Sequence, residues 1–444
     1  MSGRTCRSFR VVFLFGNYFP VILIHQHSKM IRIFPVVSIL PLLLASLLQS
    51  ADWPTWRGLT TDGLTTETQF PMKWSTTENV IWKVPLPGPG NSSPIVVKGK
   101  VFVTQAASKG QYRALLCFDR KNGEQLWERS IVIKDQEPSH KTNPYCSASP
   151  AANGDIIAVS YGSAGLYAYG VDGKKLWSRT DFGTQHHIWG NASSPLPYGD
   201  TFIQLWGPGA NTSLVAVNAK TGKTVWKDEL KDARGKDEKH WFGSWTTPVL
   251  RDNHGRDEML IPLPKKLVAF DPKTGKRLWW CDGLGDLVYN NAAATGDYVM
   301  ATSGYGGPAL GVKAGKDASG DLTSKRLWVT KKRNPQRIGT GTMANGLYYI
   351  LCESGILQCI DPKTGKVFAE IRVGKGGNWS SIVQASNRLY VTNVGGQSLV
   401  YAATPQLLEL SLNPIGELNR SSMAFSDGQI FLRTYKNLWC FGKK

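Results

Sequence analysis

The feature that most constrains the fold is a repeated pair of short strands joined by a glycine turn. Four segments share this pattern: LLCFDRKNGEQLW (115–127), LYAYGVDGKKLW (166–177), LVAVNAKTGKTVW (214–226) and LVAFDPKTGKRLW (267–279). Each begins with an apolar strand, passes through a polar turn with glycine, and ends in tryptophan. Glycine supplies the left-handed backbone that a short bulged hairpin requires. Self-similarity of this kind predicts a repeat architecture.

The spacing of the closing residue gives the size of one repeat unit. Later copies diverge: one closes at Leu327-Trp328, the next has Ala369 in the tryptophan position, and the segment 399–410 keeps only the spacing. Successive closing positions lie 41 to 53 residues apart, at Trp82, Trp127, Trp177, Trp226, Trp279, Trp328 and Ala369. This is the length of a four-stranded propeller blade.

A second motif, rich in small residues, precedes each repeat. HIWGNASSP (187–195) and HWFGSWTTP (240–248) match position by position, and PGNSSP, YCSASP, GTGTMA, NWSSIV and NRSSMA are related to them. Small side chains suit the innermost strands of a propeller, because these strands converge on the axis. We therefore interpret these segments as the first strands of eight blades.

The two ends of the chain complement each other. The last segment, SSMAFSDGQIFLRTYKNLWCFG, supplies three strands, and ENVIWKV (78–84) supplies a closing strand with Trp82. Joining them completes a ring and hides the edges that an open sheet exposes. The prediction is an all-β, eight-bladed β-propeller over residues 52–444, closed by its N- and C-terminal strands.

These motifs resemble the PQQ-repeat propellers, a superfamily that includes quinoprotein alcohol and sugar dehydrogenases. It also includes the propeller lipoprotein of the outer-membrane β-barrel assembly machinery. The superfamily repeat A-x-D-x-x-T-G-K-x-x-W stands here as AFDPKTGKRLW and AVNAKTGKTVW. The opening DWPTWRG (52–58), with IWGNASSP and HWFGSW, is similar to a subgroup of exported bacterial members. The resemblance implies the fold, but a fold does not imply an activity.

Residues 1–51 have the pattern of a targeting segment. From Met30, Arg32 precedes the apolar run IFPVVSILPLLLASLL, and small residues follow before the first aromatic residue. This order is typical of a signal peptide, which predicts export to the periplasm or beyond. Met30 is an alternative start, and an uncleaved membrane anchor is the alternative to cleavage.

Charge and cysteine usage indicate no special chemistry. The net charge of +19 could attract polyanions, but many lysines lie in repeated DPKTGK-type turns and would be spread around a ring. We therefore expect no nucleic-acid partner. Cys117, Cys359 and Cys440 share a repeat position with Ala216 and Ala269, which indicates a small buried slot.

A quinoprotein dehydrogenase is the strongest enzymatic alternative. The resemblance implies that such an enzyme would hold PQQ and Ca²⁺ with a carboxylate base, a Glu/Asn/Asp calcium shell and often a disulfide between adjacent cysteines. This sequence has no adjacent cysteines, and its small-residue motifs carry asparagine but no Asp or Glu. Calcium prefers several oxygen ligands, usually with carboxylates among them. We therefore expect no cofactor, with PQQ and Ca²⁺ as the alternative.

A zinc site is a further hypothesis. His187 and His240 occupy equivalent positions in neighbouring repeats, and His140 lies at a similar place before the preceding one. Three imidazoles could bind zinc if they converged. Equivalent positions in different blades of a ring point in different directions. A further repeat has Gln336, and not histidine, at this position. Structural histidines are therefore the favoured interpretation.

A binding face at the mouth of the ring is the function that the sequence favours. Aromatic faces with amide and guanidinium donors suit sugars, quinone-like rings or peptides, while blade packing is the alternative role for the tryptophans. The expected partner is an envelope protein, a glycan or a small molecule, bound by a monomeric, non-catalytic scaffold. The candidate ligand-binding residues are Tyr145, His187, Trp189, Asn191, His240, Trp241, Trp245, Asn290, Arg337, Trp379 and Arg420.

Overall fold

The computed structural model describes residues 52–236, 241–330, 334–374 and 376–443. The predicted targeting segment, its alternative start at Met30 and the candidate residue His240 lie outside these ranges. Within the described ranges, no helix is long and apolar enough to cross a membrane.

The described strands form eight antiparallel blades of four strands each, as predicted. The first four blades follow the order of the chain, with the innermost strand first. Blade 1 comprises Ile95–Val97, Lys100–Ala107, Tyr112–Asp119 and Gln125–Val132; blade 2 comprises Ala151–Asn153, Ile156–Ser160, Leu166–Gly170 and Lys175–Arg179; blade 3 comprises Leu196–Tyr198, Thr201–Trp206, Ser213–Asn218 and Thr224–Asp228; blade 4 comprises Val249–Asp252, Asp257–Leu263, Lys266–Phe270 and Arg277–Asp282.

The remaining blades include the diverged repeats, which keep the same strand order. Blade 5 comprises Ala293–Thr295, Tyr298–Thr302, Ala309–Lys313 and Arg326–Val329; blade 6 comprises Thr342–Ala344, Leu347–Leu351, Ile356–Ile360 and Val367–Arg372; blade 7 comprises Val383–Ala385, Arg388–Thr392, Gln397–Ala402 and Glu409–Pro414; blade 8 comprises Ala424–Ser426, Gln429–Arg433, Asn437–Phe441 and Val80–Pro85.

A few short elements lie outside the four main strands of each blade. Leu64–Thr65 pairs in parallel with the innermost strand of blade 7, and Gly320–Asp321 pairs in parallel with the outermost strand of blade 4. Gly243–Ser244 pairs with Leu287–Val288 between blades 4 and 5. Single 3-10 turns occur at Ser108–Gly110, Gly162–Ala164, Lys231–Ala233 and Thr323–Lys325.

Ring closure by the two ends of the chain is confirmed. Val80–Pro85 pairs antiparallel with Asn437–Phe441, so the N-terminal part of the described chain provides the outermost strand of blade 8. Trp82 lies opposite Cys440, as Trp127 lies opposite Cys117 in blade 1. The shared register means that this non-local pairing reproduces the local repeat.

The closing tryptophans of five blades join each of those blades to the next, whereas Trp279 of blade 4 donates to Glu258 within its own blade. The rings of these five tryptophans lie against the turn glycine of the following blade, where a side chain would clash, and their indole N–H groups donate to a carbonyl of that turn. These bonds are Trp82 to Arg120, Trp127 to Val171, Trp177 to Ala219, Trp226 to Pro272 and Trp328 to Pro362, at 2.7 to 3.3 Å. The repeat therefore encodes the joints between blades as well as the strands.

Blades 6 and 7 have no tryptophan at this position, and blade 7 uses the N-terminal segment in its place. Ser411 holds the tryptophan position, opposite Val400. Trp74, from the segment before Val80, fills the space between blades 7 and 8, with ring centroids 6.4 Å from Tyr390 and 5.6 Å from Phe441. The N-terminal segment thus supplies both a strand and a packing wedge at the seam of the ring.

The small-residue motifs differ from the prediction in one respect. They lead into the innermost strands, which begin immediately after Pro94, Pro150, Pro195 and Pro248, and most of their residues lie outside the strand ladders of the blades. Proline cannot donate a ladder hydrogen bond, which favours a strand start at this point. Many of the backbone N–H groups of these motifs are used between blades, as described below.

Gly275 tests the joint between blades 3 and 4. Its φ is +73°, and a Cβ there would lie 2.5 Å from Cε3 of Trp226. Gly255 has a φ of +84° with no atom within 4 Å of that position, so it is a matched control. We expect Gly255→Ala to lower the free energy of unfolding by about 1 kcal/mol, and Gly275→Ala by about 3 kcal/mol because the clash is added. Denaturant titration measures both; equal losses would contradict a close-packed joint.

Candidate functional site

A closed belt of hydrogen bonds surrounds the axis of the ring. In each blade, one backbone N–H donates to a side-chain oxygen of the next blade, and the last blade donates back to the first, at 2.9 to 3.1 Å. The belt residues are Ser93, Ser149, Ser194, Thr247, Asn291, Thr340, Ser381 and Ser422. All are buried. Serine, threonine and asparagine fit here because each combines a small side chain with an acceptor oxygen.

The residues two positions before the belt form a second tier. Side chains two residues apart in an extended chain point to the same side, so this tier lies above the belt around the same axis. Its members are Asn91, Ser147, Ala192, Trp245, Tyr289, Ile338, Trp379 and Arg420. All eight, with seven of the eight belt residues, line one axial cavity of about 420 Å³. That volume is within the range of small-ligand pockets.

The wall of this cavity is asymmetric. Blades 3 to 5 contribute an aromatic cluster in which Trp189 lies 5.9 Å from Tyr305, 5.1 Å from Trp241 and 5.9 Å from Trp245, measured between ring centroids. Tyr289 packs edge-on against Trp245 at 5.3 Å. Trp241 and Tyr305 are 49% and 45% exposed, so the cluster extends from the cavity to the surface. Exposed aromatic rings at a concave mouth are typical of recognition sites.

The opposite side of the mouth is polar. The Arg420 guanidinium lies 5.2 Å from the centre of the Trp379 ring, and its Nη1 donates to the Tyr435 hydroxyl at 2.5 Å. Tyr435 in turn donates to Asn91 at 3.2 Å. His140 also lines the cavity, with Nδ1 2.7 Å from the Thr142 hydroxyl.

The N-terminal segment closes the other end of the axis. Between Trp53 and Gly63 it hydrogen-bonds to the innermost strands or their approaches in blades 1, 2, 4, 6 and 7. The buried Arg57 anchors it by donating to the carbonyls of Ile382 and Gly341, and burial lowers the pKa of Arg57 to about 10. The side chain of Trp56 lines the cavity. Trp56 is therefore its floor, and the aromatic mouth is the open side.

Two candidate residues support a buried ion pair away from the cavity. Arg113 and Glu137 are 2.8 Å apart and almost fully buried. The Tyr145 ring lies 4.6 Å from the Arg113 guanidinium carbon, and Asn191 donates to Glu137 at 3.3 Å. Tyr145 and Asn191 thus have structural contacts in this arrangement.

Three further candidates are buried in the walls between blades. Asn290 donates to the carbonyls of Ile338 and Gly339 at 3.0 and 2.7 Å, and Arg337 donates to Gln358 at 2.8 Å. The ring of His187 packs edge-on against Trp245 at 4.7 Å, and its Nδ1 accepts the backbone N–H of Trp189 at 3.2 Å. These residues hold the loops that carry the cavity lining.

The structure brings together four candidate residues as direct lining: Trp189, Trp245, Trp379 and Arg420. Trp241 joins them at the rim through its contacts with Trp189 and Tyr305. His240 lies outside the described residues.

Many of the lining residues were not predicted from the sequence. Asn91, Ser147, Ala192, Tyr289 and Ile338 share the second-tier position, and Trp56 comes from outside the repeats. Alignment of the eight motifs on the belt residue would have found the second tier, because the two-residue offset is constant. The repeat offers no signal for Trp56.

The lining residues do not fit a calcium-bound quinone. Among the described residues, no Asp or Glu lines the cavity, and no group of three His, Cys, Asp or Glu residues is arranged to bind a metal. The carboxylates that usually complete a calcium shell are thus missing from this lining. Of the three histidines considered for zinc, His187 packs on Trp245 and His140 contacts Thr142.

Comparison with known proteins places the chain in a family. A family model described as outer membrane protein assembly factor BamB matches residues 71–180 and 210–444. The chain belongs to this BamB family. A curated BamB from Burkholderia pseudomallei is 23% identical over 355 residues, which cover 71% of this chain and 84% of that protein. The predicted resemblance to PQQ-repeat propellers is confirmed.

Solved structures share the fold of this BamB family member. BamB from Moraxella catarrhalis superposes with a TM-score of 0.56 at 15% identity, covering 82% of this chain and 99% of that one. Quinohemoprotein alcohol dehydrogenase from Comamonas testosteroni gives 0.61 at 14% identity, covering 89% and 81%. An outer membrane protein assembly factor and an alcohol dehydrogenase share this propeller, so the fold alone does not assign an activity.

Adjacent serines provide a test of the belt. Ser194 accepts the N–H of Ser149, whereas the hydroxyl of the buried Ser193 has no hydrogen-bond partner in the described chain. Ser194→Ala should lower the free energy of unfolding by about 1–3 kcal/mol, because a buried N–H loses its acceptor. Ser193→Ala removes a buried hydroxyl without a hydrogen-bond partner, so it should not lower the free energy of unfolding. Guanidinium unfolding distinguishes them; an equal effect of both substitutions would show that the belt bond adds no stability.

Proposed function

We propose that this chain is an exported, non-catalytic binding scaffold of the cell envelope that takes part in the assembly of outer-membrane proteins. Membership of the BamB family supports a role in outer-membrane protein assembly, since the relatives are named as outer membrane protein assembly factors. The pattern of residues 1–51 supports export. The proposed partner is an envelope protein, and no cofactor is required.

The observation that carries this proposal is the axial cavity with its exposed aromatic rim. Trp241 and Tyr305 are about half exposed, while Trp189 connects them to the buried Trp245. Such rings offer apolar contact area at a small cost in side-chain entropy, which is why aromatic residues dominate protein interfaces. A polypeptide segment of a partner can therefore lie across the rim and place side chains in the cavity.

The lining also supports binding over redox catalysis. The polar groups that face the cavity include hydroxyls, amides, one guanidinium and the imidazole of His140, and no carboxylate is available among the described lining residues to bind calcium. Hydroxyl, amide and guanidinium groups are sufficient for recognition. The imidazole of His140 is held by the Thr142 hydroxyl at 2.7 Å from Nδ1, and no calcium ligand of the carboxylate type lies beside it in the described lining.

Photo-crosslinking in the natural host tests the proposal. A benzoylphenylalanine at position 241 would lie on the rim, whereas one at position 225, on the outer strand of blade 3, is a matched control because Val225 is 53% exposed. We expect position 241 to give a discrete adduct with an outer-membrane assembly protein, identified by mass spectrometry, and position 225 to give little. Equal adducts at both positions, or none at 241, would contradict a binding face at the mouth. PQQ-dependent oxidation of alcohols by the purified protein would contradict the non-catalytic role.

A further inference from the structure

The cavity has an unbalanced set of charges. Arg420 has no carboxylate within ion-pair distance among the described residues, and its buried Nε has no hydrogen-bond partner there. Elsewhere, the buried Arg113 and Arg251 are paired with Glu137 and Glu258. The buried Arg57, Arg337 and Arg433 donate to carbonyl or amide oxygens instead, and none of them lines the cavity. Arg420 differs because its partly buried guanidinium faces the cavity. An unpaired charge beside a partly dehydrated cavity attracts an anion, and a guanidinium suits a carboxylate geometrically.

The belt adds hydrogen-bond donors directed at the same space. Each belt hydroxyl accepts one backbone N–H, which leaves its own hydrogen without an acceptor among the described residues. Asn291 is 3% exposed; its Oδ1 accepts the N–H of Thr247 at 3.0 Å, so its Nδ2 must face away from that bond. This Nδ2 has no partner in the described chain. A buried donor without a partner is costly, and an acceptor group on a ligand would relieve that cost.

The apolar part of the site lies next to these donors. Trp379 lies under Arg420, and Trp245, Tyr289 and Trp189 form the facing wall. A ligand that places an acceptor group near Arg420 therefore brings its neighbouring atoms against aromatic rings. The cavity combines one cation, many donors and flat apolar surfaces.

We propose that the cavity recognises an acidic polypeptide segment, in which a carboxylate side chain is adjacent to an aromatic one. Arg420, the belt hydroxyls and Asn291 receive the carboxylate, and the tryptophan wall receives the ring. This inference rests on the proposed function and specifies which segment of the partner is bound. The Trp56 floor limits how far that segment can enter.

Calorimetric titration with two matched peptides tests the carboxylate. The probes are acetyl-Gly-Phe-Glu-Gly-amide and its Gln counterpart, which differ in charge and hardly in shape. We expect the mature protein to bind the Glu peptide about tenfold more tightly at low salt. Equal affinities, or no saturable binding of the Glu peptide, would overturn the inference.

Two substitutions locate the effect. Arg420→Gln should abolish the preference for the Glu peptide, while Arg372→Gln removes the same charge from the exposed outer strand of blade 6 and should leave the preference unchanged. Asn291→Asp keeps the acceptor for Thr247 but replaces the unpartnered donor with a carboxylate oxygen, so it should also weaken the Glu peptide. If this variant unfolds in a thermal melt, Arg420→Gln carries the test. A preference retained in Arg420→Gln would overturn the inference.

Two further experiments separate this inference from the proposed function. Crosslinking at position 241 is repeated in the Arg420→Gln variant, and PQQ is titrated as a second source of carboxylates. An adduct at 241 without any peptide preference would remove acidic recognition and leave the scaffold. Absence of the adduct in the parent protein would remove the proposed function itself. Tighter binding of PQQ than of the Glu peptide would overturn the polypeptide as ligand.

Discussion

The closed belt of inter-blade hydrogen bonds is the constraint on which the rest of this propeller depends. Eight backbone N–H groups near the axis have no ladder partner, and each is satisfied by the side chain of the next blade. Since the cycle returns from Ser422 to Ser93, a blade that moved outwards would leave two buried groups unpaired. The belt therefore fixes the radius of the ring and, with it, the width of the cavity.

The belt hydrogen bonds are the same in all eight blades, whereas the side chains of the second tier differ from blade to blade. The belt positions hold only serine, threonine and asparagine, whereas the tier two residues earlier holds alanine, serine, asparagine, isoleucine, tyrosine, tryptophan and arginine. The backbone N–H groups place no demand on that tier, so its side chains can differ from blade to blade. An eightfold framework thereby builds a cavity with an aromatic side around Trp245 and a cationic side at Arg420.

The repeat explains why the fold was predictable and the site only partly so. Strand pairs, the turn glycine and the Trp82 closure follow from local patterns that recur, and the structure reproduces them. Aromatic and charged residues near the motifs include both lining residues, such as Trp379, and wall residues, such as Arg337, which is turned towards Gln358. Their direction depends on the offset from the belt, and that offset is visible only after the eight motifs are aligned on the hydrogen-bonded residue.

The N-terminal segment closes two gaps that a ring of repeated blades leaves open. A ring of similar blades leaves an open axis at both ends and a seam where the chain begins and ends. Trp56 and Arg57 close one end of the axis, and Trp74 fills the seam where blade 7 has Ser411 instead of tryptophan. Because one continuous segment performs both tasks, closure of the ring and formation of the cavity floor are coupled. Binding at the mouth therefore takes place in a cavity whose floor belongs to the same segment that closes the ring.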